Sequence, residues 1–203
     1  MDNLISFKRK TTEMEEFLLS GFVIGLSFSI AFAQFSSSLY SPRFADFYLP
    51  AGMFSGFSAF ALHELAHRQV AIRYGYKARF RMWLPGLFIS LASSFLGFIF
   101  AAPGATEVYN VNNRKLYGLI SISGPLTNIF LGMFLFIFGS FNLGWISQVF
   151  LIAGSVNIAI AFFNLLPIPP LDGYNVLKWD TSFYALMFVI SIVLLIVIDK
   201  GFF

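Results

Sequence analysis

The two histidines of the chain, His63 and His67, stand four residues apart with a glutamate between them, in the run His63-Glu64-Leu65-Ala66-His67. On a helix, residues i and i+4 project from one face, so both imidazoles can reach a single metal ion. Glu64 then stands beside that ion, where a carboxylate can take a proton from an activated water. Taken alone, an H-E-x-x-H run is a weak signal. Its setting strengthens it, because it falls inside a long apolar stretch where an ionisable residue costs on the order of 2–3 kcal/mol and tends to be functional. Two imidazoles do not complete a catalytic zinc site, which takes three protein ligands and keeps one position open. With no Cys and no third His among the 203 residues, the missing ligand is an Asp or a Glu.

Asp2, Glu13, Glu15 and Glu16 belong to the polar N-terminus, Asp199 to the C-terminal end, and Asp46, Glu107 and Asp180 to loops with no motif around them. Asp172 differs, because it closes the run Asn164-Leu165-Leu166-Pro167-Ile168-Pro169-Pro170-Leu171-Asp172-Gly173. The prolines end the preceding helix and stiffen an extended turn, and Gly173 allows the close backbone path that a fixed ligand needs. By itself this run is a helix-terminating loop with a solvated Asp. Beside a two-histidine site short of one ligand, it supplies the third.

Composition says what must carry these residues. Hydrophobic residues make up 58% of the chain and charged residues 11%, 28 residues are Phe, and the mean hydropathy is +0.77. A soluble domain needs more polar surface than this, and a disordered chain has far fewer apolar and aromatic residues, so the sequence reads as an integral membrane protein. A net charge of +3 then reports orientation in the membrane, not a nucleic-acid partner. The absence of Cys excludes a disulfide framework and a thiol nucleophile. Apolar stretches run over Phe17–Phe35, Leu49–Tyr74, Trp83–Ala102, Leu116–Phe141, Trp145–Leu166 and Phe183–Ile198. Residues 1–16 form a polar N-terminal segment, and the remaining length allows one transmembrane domain over 1–203. Ala31-Phe32-Ala33 has the form of a signal-peptidase site, but Glu13, Glu15 and Glu16 suit a signal peptide poorly, so the first stretch reads as a spanning helix.

Three motifs together resemble the site-2 protease family of intramembrane zinc metalloproteases. They are H-E-x-x-H at His63–His67, G-P-x-x-N at Gly124-Pro125-Leu126-Thr127-Asn128, and N-x-x-P-x-x-x-x-D-G at Asn164–Gly173, in the family's order. The resemblance implies one zinc ion held by His63, His67 and Asp172, with Glu64 as general base. It implies that Asn164 helps to hold the substrate backbone or the developing oxyanion. Asn128 would either support the site or hydrogen-bond between helices. No stretch could encode the peptide-binding (PDZ) or nucleotide-sensing domains of many relatives, so the resemblance is to a minimal form.

The third ligand constrains the topology. If all six stretches cross, Asp172 emerges on the face opposite the histidines, too far for a zinc–oxygen bond of about 2 Å. One stretch must return to its own side. Trp83–Ala102, flanked by Pro85-Gly86 and Pro103-Gly104 and interrupted by Ser90, Ser93 and Ser94, is the candidate. The expectation is therefore an all-α membrane protein of about five spanning helices with a re-entrant or sheet-like segment near 83–110, the alternative being six spanning helices. With re-entry, only Arg43 and Lys200 of the thirteen Lys and Arg fall outside, whereas six crossings put Arg43, Arg114, Lys115 and Lys178 there. The positive-inside rule favours re-entry and puts the site nearer the cytoplasmic face of a cell membrane, with Arg68, Arg73, Lys77, Arg79 and Arg81 marking that face.

The expected activity is hydrolysis of a peptide bond in or near a transmembrane segment of a membrane-protein substrate. An exposed strand edge near Lys77–Arg81 or Ala102–Val108 would hold the unwound substrate, and Thr127, Asn128 and Asn164 would line a water path. A serine mechanism lacks its usual glycine after Ser58, and an aspartyl dyad lacks a second intramembrane aspartate. A catalytically silent scaffold or chaperone has no use for Glu64 at the metal, and a metal transporter gains nothing from a closed site.

Overall fold

The computed structural model describes residues 11–100 and 103–202. The readings placed on Asp2, Ala102 and residues 1–10 of the polar N-terminal segment lie outside the described residues, as do the side chains of Asp199 and Lys200. The helices are α1 (Glu13–Phe35), α2 (Leu49–Arg73), α3 (Leu84–Ser94), α4 (Arg114–Gly139), α5 (Trp145–Asn164), α6 (Asp172–Trp179) and α7 (Thr181–Phe202). Two strands, β1 (Ala78–Met82) and β2 (Gly104–Val108), form a small sheet, and Phe44–Tyr48 is a π-helical turn. Among the described residues, four helices, α1, α4, α5 and α7, are long and apolar enough to cross a membrane, so the protein is an all-α membrane protein. With 25 residues, α2 reaches about 37 Å at 1.5 Å per residue, and it carries the polar residues of the H-E-x-x-H run.

The first helix begins at Glu13, four residues before the apolar stretch. Thr12 and Glu15 close a capping box: the Thr12 hydroxyl oxygen accepts from Glu15 N at 3.2 Å, and the Glu15 carboxylate accepts from Thr12 N at 2.9 Å. The glutamates thus belong to a helix start, where acids complement the helix dipole.

At 11 residues, α3 is about 16 Å long, roughly half of a 30 Å hydrocarbon core. It is bracketed by β1 and β2, which pair antiparallel with Ala78 opposite Val108 and Met82 opposite Gly104. A segment whose two ends are hydrogen-bonded to each other returns to the side it left, so the 83–102 stretch re-enters. Within it residues 84–94 form a short helix, and β2 falls inside the 83–110 segment expected to be re-entrant or sheet-like. From β2 the chain enters α4, which runs away from that side, and α5 brings it back. Asp172 therefore emerges at the end where α2 finishes, and α6 lies against the start of α4, with Trp179 over Gly118 and Asn175 Nδ2 donating to Ser121 Oγ at 3.2 Å.

Two apolar cores hold the bundle. One gathers Ile24, Phe60, Ala61, Phe80 and Leu87 from α1, α2, β1 and α3, with Phe17 wedged against the Phe60 and Phe80 rings. The other gathers Ile122, Ile129, Ile158, Leu165, Val176 and Tyr184 from α4 to α7. Re-entry has a direct test in a chain free of native cysteine. A cysteine at Asn112 is expected to react with a membrane-impermeant thiol reagent from the same side as one at Gly75; labelling from opposite sides would contradict it.

Candidate metal centre

One helical turn separates His63 from His67 on α2, and both rings are buried, at 5% and 7% exposure. Their centroids lie 4.6 Å apart with the planes nearly perpendicular. Across from them, Asp172 opens α6, and its Oδ2 stands 3.2 Å from the Nε2 of each histidine. The sequence places Asp172 in an extended turn; the structure makes it the first residue of an eight-residue helix. Gly173 permits this, since a Cβ there would strike the Leu165 carbonyl at the end of α5.

Hydrogen bonds on the far side of each ring decide what the cluster can do. A main-chain carbonyl only accepts, so the 2.8 Å contact between His67 Nδ1 and Ile120 O puts the proton on Nδ1. For His63 the partner is Asn128 Oδ1 at 2.5 Å. Two acceptors together fix which way round that amide sits, since its Nδ2 donates to Ala59 O at 2.9 Å and to Asn157 Oδ1 at 2.8 Å. Both rings thus carry Nδ1–H and aim the Nε2 lone pair at Asp172. This is the arrangement a divalent ion requires of two imidazoles and a carboxylate.

The distances agree. Ligands about 2 Å from an ion at tetrahedral angles lie roughly 3.3 Å from one another. The three candidate atoms all fall within 4.8 Å of one another, and the two histidine–aspartate separations are 3.2 Å. The space also depends on Gly124 of α4. A Cβ there would stand 2.5 Å from His67 Nε2 and 2.6 Å from His63 Nε2. The glycine of the G-P-x-x-N motif is thereby explained as the floor of the cluster.

Glu64 lies next to the cluster and outside it. Its Oε2 accepts from Thr106 N at 2.8 Å and from Thr106 Oγ1 at 2.7 Å, so β2 fixes the carboxylate. Asn164 ends α5 and lines the cavity beside the site, with its Nδ2 donating to Ile160 O at 3.0 Å within its own helix. Asn128 supports the site and joins helices at once, since its Nδ2 also donates to Asn157 Oδ1 at 2.8 Å. Of the three residues expected along a water path, Asn164 lines the cavity. Thr127 bonds back to Ser123 O at 2.8 Å, and Asn128 is fully buried.

Of the three acidic residues expected in loops, two lie in regular elements and Asp180 stays in the junction between α6 and α7. Asp46 sits in the π-helical turn, Glu107 in β2 beside Arg81 at 3.7 Å, and Asp180 caps α7 by accepting from Phe183 N at 2.9 Å. Glu13 and Glu16 seal the outer edge of β1, accepting from Phe80 N at 3.0 Å and Met82 N at 3.1 Å. Arg68 and Arg79 pair with those same glutamates, so neither points to the cluster. A cavity of about 1250 Å³ opens over the site, lined by Phe28 and Phe32 of α1, Ile152 and Ile160 of α5, β2 and the three candidate ligands.

Thr106, Ile120 and Asn157 were missed in the sequence. Asn157 left one trace, an amide within the apolar run of α5; Thr106 and Ile120 left none, because their role depends on which element lies opposite.

The family model described as peptidase family M50 matches residues 140–182, which contain the run from Asn164 to Gly173. Three curated relatives each bear the name "putative zinc metalloprotease". The one from Methanocaldococcus jannaschii is 35% identical over 173 residues, covering 81% of this chain and 87% of its own. The one from Bacillus subtilis is 33% identical, covering 59% of this chain and 64% of its own. The one from Synechocystis is 30% identical, covering 60% of this chain and 29% of its own. No solved structure gives a significant match.

Proposed function

Since the chain belongs to peptidase family M50, the site-2 proteases, we propose that it is a zinc metalloprotease that hydrolyses a peptide bond in or near a transmembrane segment of another membrane protein. The observation that carries this is the convergence of His63 Nε2, His67 Nε2 and Asp172 Oδ2, with Glu64 beside them. These three residues would hold zinc, which supplies Lewis acidity for the scissile carbonyl and acidifies a water. Glu64 accepts the water's proton and passes it to the leaving amine. With Oε2 pinned by Thr106, Oε1 is the oxygen left for that transfer.

The sheet suggests how the substrate is held. A helical substrate hides its carbonyls in its own hydrogen bonds and must unwind before attack. The bonds Trp83 N to Pro103 O and Tyr109 N to Lys77 O turn the odd-numbered residues of β2 toward β1. Gly104, Thr106 and Val108 then face away from β1, as the bond from Thr106 N to Glu64 shows. The β1 edge near Lys77–Arg81 is filled by Glu13 and Glu16, and on the β2 edge Thr106 N is taken by Glu64, so strand addition at β2, beside the base and the cavity, would rest on Gly104 and Val108. Asn164, at the cavity wall, is placed to bind substrate backbone once its amide leaves Ile160. The side on which α2 ends carries Arg73, Lys77, Arg79 and Arg81, which by the positive-inside rule is the cytoplasmic side of the cell membrane. The chain acts as a single transmembrane protease domain.

Metal removal tests this reading. The detergent-purified protein is expected to carry stoichiometric zinc and to cut a transmembrane model substrate. Chelation should stop cleavage and added zinc should restore it. Undiminished cleavage after complete removal of metal would overturn the reading.

A further inference from the structure

Two asparagines, Asn128 on α4 and Asn157 on α5, are wholly buried in an apolar bundle. Buried amides in such a setting are usually helix-to-helix glue. Their hydrogen bonds here have a direction, and it ends at the metal cluster. Asn157 Nδ2 donates to Ala153 O at 2.8 Å, and since that carbonyl can only accept, Asn157 Oδ1 must face Asn128. Asn128 Nδ2 uses one hydrogen on that Oδ1 at 2.8 Å and the other on Ala59 O at 2.9 Å. Its own Oδ1 is thereby left to His63 Nδ1. We infer that Asn157, although on a helix that contributes no ligand, is a positioning residue for the metal site: through Asn128 it holds His63 in the Nδ1–H tautomer and so keeps the Nε2 lone pair on the ion.

The inference rests on the zinc reading of the cluster. Without Asn157, one of the two acceptors that fix the Asn128 amide is gone. The amide gains freedom to turn its Nδ2 toward His63, which stabilises the tautomer whose Nε2 is protonated and cannot ligate. Outer partners of metal-bound histidine typically change metal affinity 10–100-fold, and a loss of about that size is expected here.

The test is zinc affinity, measured by chelator competition on the full-length protein in detergent, with no substrate present. Asn157→Leu should bind zinc about 10–100-fold more weakly than wild type while its zinc-free form keeps the wild-type helix content and melting temperature. Asn157→Asp should recover most of the affinity, because a neutral acid in this dry position can donate to Ala153 O and accept from Asn128 as the amide does. If Asn157→Leu does not fold, Asn157→Ser takes its place: a hydroxyl bonded to Ala153 O is too short to meet Asn128, and the same loss is expected. Wild-type zinc affinity in a folded Leu or Ser variant overturns the inference. A wild-type protein that binds no zinc overturns instead the reading on which it rests.

Discussion

Glu64→Gln is expected to cut turnover of a transmembrane substrate by about 10²–10⁴-fold, the usual worth of a positioned general base, while leaving zinc content at the wild-type level. The two halves of the expectation have separate structural grounds. Glutamine has the shape of glutamate, and its Oε1 can still accept from Thr106 N and Thr106 Oγ1, so the side chain stays where β2 holds it. It cannot take a proton from water at neutral pH. The three candidate ligands do not include Glu64, and the contacts behind the rings come from Asn128 and Ile120, so the metal site is untouched. Cleavage by Glu64→Gln at the wild-type rate would remove the base from the mechanism. Loss of zinc from the variant would mean that Glu64 holds the ion and does not act beside it.

Gly124→Ala, the addition of a single methyl group, is expected to be nearly as damaging by a different route. The new Cβ would stand 2.5 Å from His67 Nε2 and 2.6 Å from His63 Nε2, well inside van der Waals contact. The rings cannot swing clear, because Asn128 and the Ile120 carbonyl grip them from behind. Zinc affinity should fall sharply, and turnover by about 10²-fold or more, since misplacing reactive groups by an ångström has effects of that order. Helix propensity acts in the opposite direction, because alanine is preferred to glycine inside a helix by about 1 kcal/mol. A folded variant depleted of zinc is therefore the expected product, distinguishable from general unfolding by circular dichroism and a metal assay. Wild-type zinc affinity in Gly124→Ala would show that the space beside Gly124 is no part of the metal site.

What could be read from the sequence was local. His63, Glu64 and His67 declare themselves because four residues make one helical turn, and Asp172 follows by elimination once two imidazoles lack a partner. The re-entry of the 83–102 stretch follows in turn from the need to bring Asp172 back to the histidines. Elements without apolar length were harder. A strand edge near Lys77–Arg81 is expected from the sequence, and Ala78-Arg79-Phe80-Arg81-Met82 alternates as a half-buried strand does, with Phe80 at 1% exposure, but its cover by Glu13 and Glu16 is not legible there. The eight residues of α6 lie behind two prolines and a glycine that signal a break. Thr12 and Glu15 had the capping-box spacing, but a search for apolar runs starts the helix after them. What lies behind the ligands was not legible at all. That Thr106 meets Glu64, that the Ile120 carbonyl meets His67 and that Asn157 meets Asn128 depends on the register of one helix or strand against another, which no single segment encodes.

The donors come from opposite ends of the synthesis order. Both nitrogens belong to the unit built around Ile24, Phe60 and Phe80, and the oxygen arrives 109 residues after His63, on the unit built around Ile158 and Leu165. A chain still emerging from the ribosome holds an incomplete donor set until α6 has formed. A metal centre assembled this way stays short of a ligand until Asp172 and the helix it opens have been made.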